Sequence, residues 1–204
     1  MVRITGNAAL VDAIYNGTVE GDDIITMNEY LQNHCTVTHL DAELQDGTPS
    51  PCFLVDPSAN GIWRNQRASM MSYTHTVRTN VHIILQVGVI VALARTLETV
   101  RQGHNGEPVP ELWIHDTRGD TPFECSHLCH EGHQGCVNPV HIIIEDKDNN
   151  THRSTRNCYR RAECTGCGIR LHSWCTHTPK CMVVHKVPCC TQCNPMSIDF
   201  QPDG

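Results

Sequence analysis

Apolar positions along this chain come in short blocks, and their spacing changes character several times. Ala8–Tyr15 and Ile24–Asn33 carry helical spacing, punctuated by Gly17 and Gly21-Asp22-Asp23, and predict two short helices. Thr36–Leu54 has β-branched residues on either side of a Gly47-Thr48-Pro49 break and predicts strands. Arg64–Val81 mixes Arg, Gln, Ser, Thr and Tyr, and fits a strand pair or a helix start equally well. Val81–Leu97 reads as a mostly buried helix running into a polar stretch, Glu98–Pro110, with a short strand expected at Glu111–Asp116. Ile142–Ile144 is an apolar run feeding an acid-rich helix start. Beyond Thr151 periodicity fades, so metal must replace the missing core.

The longest apolar run, Val81–Ala94, is broken by His82, Gln86 and Gly88 and is shorter than the roughly 20 residues a membrane span needs. The first residues lack the apolar core of a secretory signal. The expectation is an intracellular protein with no membrane partner.

Composition sharpens this. In 204 residues, 39% apolar and 18% charged, there is room for one globular domain, with or without a small appended module. Of 13 Cys, eleven fall between Cys125 and Cys193 and are interleaved with histidines. An odd count cannot pair fully, and a disulfide scaffold has no use for the histidines, whereas zinc takes both thiolate and imidazole. The net charge of −7 argues against nucleic acid until its distribution is seen. Ile4–Trp63 holds nine acidic residues and no Lys or Arg; Arg64–Arg101 holds five Arg against Glu98; Thr151–Val187 holds seven basic residues against Glu163. Two locally basic segments suffice to recruit phosphates.

The densest chemistry is Cys125-Ser126-His127-Leu128-Cys129-His130, followed by Cys136-Val137-Asn138-Pro139-Val140-His141. Cys129, Cys136 and His141 supply three zinc ligands; Cys52 is the leading fourth, with Cys35 its competitor. His127 is either a general base or a spare zinc ligand, and Asn150 by its spacing suits a helix N-cap. Downstream, Cys164-x₂-Cys167 and Cys190-x₂-Cys193 make a possible third site, with Cys164, Cys167, His172 and Cys175 as the other grouping.

Together with Glu145, Asn150 and an upstream Asn60-Gly61-x-x-Arg64-x-Gln66, these motifs resemble the His-Cys box homing endonucleases, which carry a ββα-metal active site. The resemblance spans roughly Cys52–Cys181 in blocks and is strongest over Cys125–Arg153. It implies an α+β fold of small antiparallel sheets and helices, with few large hydrophobic cores and two or three structural zinc sites. Residues 1–50 would form an acidic helical segment, 51–157 the DNA-binding sheet and nuclease core, and 158–204 a zinc-binding region and tail.

The roles follow from the same resemblance. Catalytic residues are His127 as general base, Asn150 as holder of one Mg²⁺, and Arg64 on the scissile phosphate. Cys52, Cys129, Cys136 and His141 would bind the first zinc, and Cys158, Cys175, His177 and Cys181 the second. Arg64, Gln66, Arg67, Tyr73, His75, Thr76 and Arg78 would contact double-stranded DNA, from a homodimer on a pseudo-palindromic site in the nucleus. The chemistry suits the residues: imidazole accepts a proton near neutral pH, Mg²⁺ prefers oxygen donors, and a guanidinium grips phosphate through paired bonds. The alternatives are a relative that binds DNA without cutting it, and a PHD-like zinc-finger interaction module built on the Cys164–Cys175 spacing.

Overall fold

The structure, a computed structural model, describes residues 2–5, 9–10, 13–14, 16–38, 42–64, 69–74, 81–101, 123–155, 158–168 and 175–187. Its strands are β1 (Val2–Thr5), β2 (Cys35–Thr38), β3 (Cys52–Val55), β4 (Ile62–Arg64), β5 (Ser69–Thr74), β6 (Val81–Gln86), β7 (Phe123–His127), β8 (Ile142–Asp146), β9 (Arg161–Cys164) and β10 (Val184–Val187). The helices are α1 (Gly21–Asn33), α2 (Val87–Arg101) and α3 (Lys147–Thr155), with a 3₁₀ turn at Pro139–His141. The fold is α+β, as expected.

Helix α1 starts where Asp23 Oδ2 accepts the Glu20 amide at 2.9 Å, and Asp22 and Asp23 place negative charge at the positive end of the helix dipole. Ile24, Met27 and Leu31 recur on one face and are fully buried. They join Ile4, Val55, Ile83, Leu85 and Ile90 in the main apolar core.

A four-stranded sheet, in the order β1-β6-β5-β4, forms one wall of that core. Its β1–β6 pairing is parallel, as is β9–β10, while β4–β5, β5–β6, β2–β3 and β7–β8 are antiparallel. The expected helix over Val81–Leu97 divides here: Val81–Gln86 is a strand, and only from Val87 does the chain coil. The strand buries Val81, Ile83 and Leu85 on one face, but the apolar Ile84 on the other and the buried helix directly after Gln86 merge the two elements into one apolar run. Strand neighbours decide it: Ile83 sits opposite Ile4 on β1 and Tyr73 on β5. Helix α2 is buried over its first two turns, Val87 to Ala94, because it packs against α1, β6 and the β7–β8 hairpin. No described helix is long and apolar enough to cross a membrane.

Candidate metal centres and active site

Strand β3 begins at Cys52, Cys129 follows the end of β7, Cys136 closes a loop, and His141 ends the 3₁₀ turn. The fold brings their donor atoms within 4.8 Å of one another, all four residues buried. His141 Nδ1 lies 3.5 Å from the sulfurs of both Cys52 and Cys136. In a zinc tetrahedron with bonds of about 2.3 Å to sulfur and 2.05 Å to nitrogen, that edge is about 3.5 Å. Ser50 Oγ sits 2.8 Å from His141 Nε2, so Nε2–H donates outward and Nδ1 faces the sulfurs. The thiols divide one proton set among them: hydrogen bonds from Cys129 and Cys52 hold Cys136 far below the ordinary thiol range, while bonds to Cys136 and Cys52 push Cys129 up. A divalent cation held by these residues would supply the positive charge that lets all three ionise. Cys35 stands apart and donates to the Gln32 carbonyl.

A second cluster joins Cys158, Cys175, His177 and Cys181, again within 4.8 Å and buried. His177 Nδ1 is 3.3 Å from Cys158 sulfur and 3.4 Å from Cys175 sulfur, which matches the same tetrahedral edge. Both donor sets, three thiols and one imidazole, fit zinc. Of the possible third group, Cys164 ends β9 and Cys167 is exposed in the turn after it, while Cys190, Cys193 and the alternative His172 lie outside the described residues.

His127 closes β7 without joining either cluster. Its Nε2–H donates to the Cys136 carbonyl at 3.1 Å, leaving Nδ1 with the lone pair. Two glycines admit the ring: a Cβ on Gly88 would lie 2.6 Å from Cε1, and one on Gly132 would lie 2.5 Å from Nδ1. Burial holds the imidazole below its usual range, against the opposing pull of Cys136. Cys125, which also abuts Gly88, is pushed up to about 12 by burial and stays a neutral thiol.

Asn150 is the fourth residue of α3 rather than its cap, since Asp146 accepts the Asp148 and Asn149 amides at 2.7 and 3.3 Å. Its Nδ2 donates to Glu124 Oε2 on β7 at 2.8 Å, which turns Oδ1 into the unengaged end of the amide. Arg64, at the end of β4, donates to the Gln134 carbonyl at 2.9 Å. Its cross-strand neighbour Ser69 donates to the His133 carbonyl, so the β4–β5 edge rests on the loop that carries Gly132.

Residues 58–189 match a family described as the zinc-binding loop region of homing endonuclease. The chain belongs to this family. With it the His-Cys box assignment stands, and the two Cys/His clusters are groups able to hold zinc. Compared with curated proteins, the chain finds no match.

Within this homing-endonuclease framework the expected DNA-contact set is unevenly placed. Tyr73 packs against the main core, and burial raises its hydroxyl, with Asp23 adding to the effect. Gln66, Arg67, His75, Thr76 and Arg78 lie outside the described residues, as do Glu111–Asp116. Sequence reading missed Ser50, Gly88, Glu124 and Gly132. None was a candidate metal ligand, and each matters only through what folds against it. The one local signal was Glu124, an acid on the same short strand as Ser126-His127.

Proposed function

We propose that the protein is a Mg²⁺-dependent, sequence-specific DNA endonuclease of the intron-homing type. It hydrolyses phosphodiester bonds in both strands of a long, pseudo-palindromic site, as a homodimer working in the nucleus. The observation that carries the reading is the bond from His127 Nε2 to the Cys136 carbonyl, which fixes the tautomer and reserves Nδ1 for a proton.

The steps assigned to this chain are few. His127 Nδ1 accepts a proton from water as the water oxygen bonds to phosphorus. The bond from phosphorus to the 3′ oxygen breaks, and that oxygen leaves with the electron pair and is protonated by solvent. Arg64 holds a nonbridging phosphate oxygen while the geometry inverts. Asn150 Oδ1 would hold Mg²⁺, a hard cation suited to an amide oxygen, and the ion would neutralise charge on the leaving oxygen. Glu124 supports this by taking the amide N–H and so aiming the oxygen.

Reading of the DNA is assigned to the sheet face opposite the core. Strand alternation puts Trp63, Ser72 and His82 there, with Gln86 exposed on the same face. Ser72 and His82 are already linked at 2.6 Å. Tyr73 faces the other way, and Arg64 is better placed for phosphate than for bases.

The test is a library of randomised duplexes treated with zinc-loaded protein, with and without Mg²⁺, followed by sequencing of cut ends. Two-fold-symmetric cuts that need Mg²⁺ and vanish with His127→Ala are the expected result. Selective binding without cutting would overturn catalysis and leave a DNA-binding relative.

A further inference from the structure

Helix α3, Lys147–Thr155, contains no apolar side chain. At nine residues it is too short to persist alone, and apolar packing cannot anchor it. Its place is set by polar contacts. Asn150 holds Glu124 on β7. His152 Nδ1 meets His177 Nε2 at 2.8 Å. Arg153, 1% exposed, spreads its guanidinium over three partners: Nε to both oxygens of Glu145 at 2.7 and 3.0 Å, Nη2 to the Pro179 carbonyl at 2.7 Å, and Nη1 to Cys181 sulfur at 3.3 Å.

Two of those partners, His177 and Cys181, are members of the second Cys/His cluster. Among the described residues its buried group consists of Cys158, Cys175 and Cys181, so their contribution is a donor set rather than apolar packing. A cation holding the four side chains together would give that set its order. The next residue along, Met182, donates its amide to the Leu128 carbonyl at 2.8 Å, directly after His127. One cluster thus touches the elements that carry both members of the proposed catalytic pair.

We infer that the second cluster is a metal-dependent clamp on the catalytic helix, with His152 and Arg153 as the positioning residues that pass its order to Asn150. This rests on the reading of Asn150 as the residue that holds the divalent ion. With the cluster filled, His177 Nε2–H donates to His152 Nδ1 and the register of α3 is fixed. Without the link, Asn150 Oδ1 samples orientations that do not suit the ion, and affinity for it drops. Outer partners of a metal site commonly orient its ligands. Here the ligands of one site orient a residue of another.

The test uses Mn²⁺ as the probe, with binding to the zinc-saturated full chain followed by electron paramagnetic resonance and zinc content measured in parallel. His152 is half-buried, so its substitution opens no core. His152→Ala should weaken Mn²⁺ by about ten-fold. His152→Asn, whose Oδ1 replaces the accepting nitrogen, should restore it, and Arg153→Lys should weaken it again. The Mg²⁺ concentration for half-maximal cutting should move in parallel. Unchanged Mn²⁺ affinity in both His152→Ala and Arg153→Lys, whatever their zinc content, overturns the clamp, and so does a His152→Asn protein that stays weak. An Asn150→Ala control separates the failures. If it binds Mn²⁺ as the wild type does, the metal role of Asn150 and the clamp fall together; if it loses Mn²⁺ while the other variants are normal, only the clamp falls.

Discussion

His127 and Gly132 touch where chemistry is proposed: a Cβ at position 132 would stand 2.5 Å from the Nδ1 that is to take the proton. No side chain fits there without moving the ring or covering the nitrogen. Gly132→Ala should therefore cut the cleavage rate by about 100-fold, the scale expected for a misplacement near 1 Å. Binding of uncut DNA in Ca²⁺ should stay near wild type. Full activity would show that Nδ1 is not the reacting nitrogen.

The imidazole itself gives a sharper contrast. His127→Ala should lower cleavage by a factor on the order of 10²–10⁴ while both zinc equivalents remain, because the ring belongs to neither cluster. Zinc content by mass spectrometry and single-turnover cutting together decide this. Loss of a zinc equivalent would make His127 a ligand.

The pH profile follows from burial. Because burial holds His127 below the ordinary imidazole range, the neutral base is present at and below pH 7 and is lost only as pH falls beneath about 6.5. The acid limb of the single-turnover rate should lie below that value. A limb above it would mean that a different group carries the proton.

Ser50 sets the outward face of His141 at 2.8 Å. Ser50→Ala should weaken zinc at the first cluster by about 10-fold, leaving the second unchanged. Competition against a colorimetric chelator, which should show one early-releasing zinc in the variant, measures it. Two zincs released as in the wild type would remove Ser50 from that role.

Cys129→Ser should do more than weaken a site. The cluster of Cys52, Cys129 and Cys136 packs with Ala42, Leu128 and Met182, so metal binding there is also core formation. Thermal melting should lose cooperativity, and added zinc should not restore it. A cooperative, zinc-replete Cys129→Ser protein would contradict a thiolate at that position.

Much of the site could be read from residue types alone. Soft thiolates and imidazoles at loop spacing point to zinc wherever the chain goes, and they singled out Cys129, Cys136 and His141, while Cys158, Cys175, His177 and Cys181 came from the family resemblance; the fold gathers each set into one cluster. The sequence favoured Cys52 over Cys35 but left the competitor open. The fold decides between them, because β3 brings residue 52 beside a loop some eighty residues away while Cys35 bonds to the Gln32 carbonyl. The strand at Val81–Gln86 was hidden for a different reason: Val81, Ile83 and Leu85 alternate onto the core, but the apolar Ile84 on the open face and the buried helix that follows blur that period.

What the sequence by itself determined is the chemistry: the metal-binding donors, the imidazole beside them, and the segregation of acidic from basic stretches. Side-chain type dictates these whatever the fold. What only the tertiary structure decided is orientation. The Nε2 partner of His127, the glycines against its ring, and the grip of Glu124, His152 and Arg153 on α3 all arise between residues distant along the chain. Such contacts depend on distance in space, which packing sets and local pattern does not record.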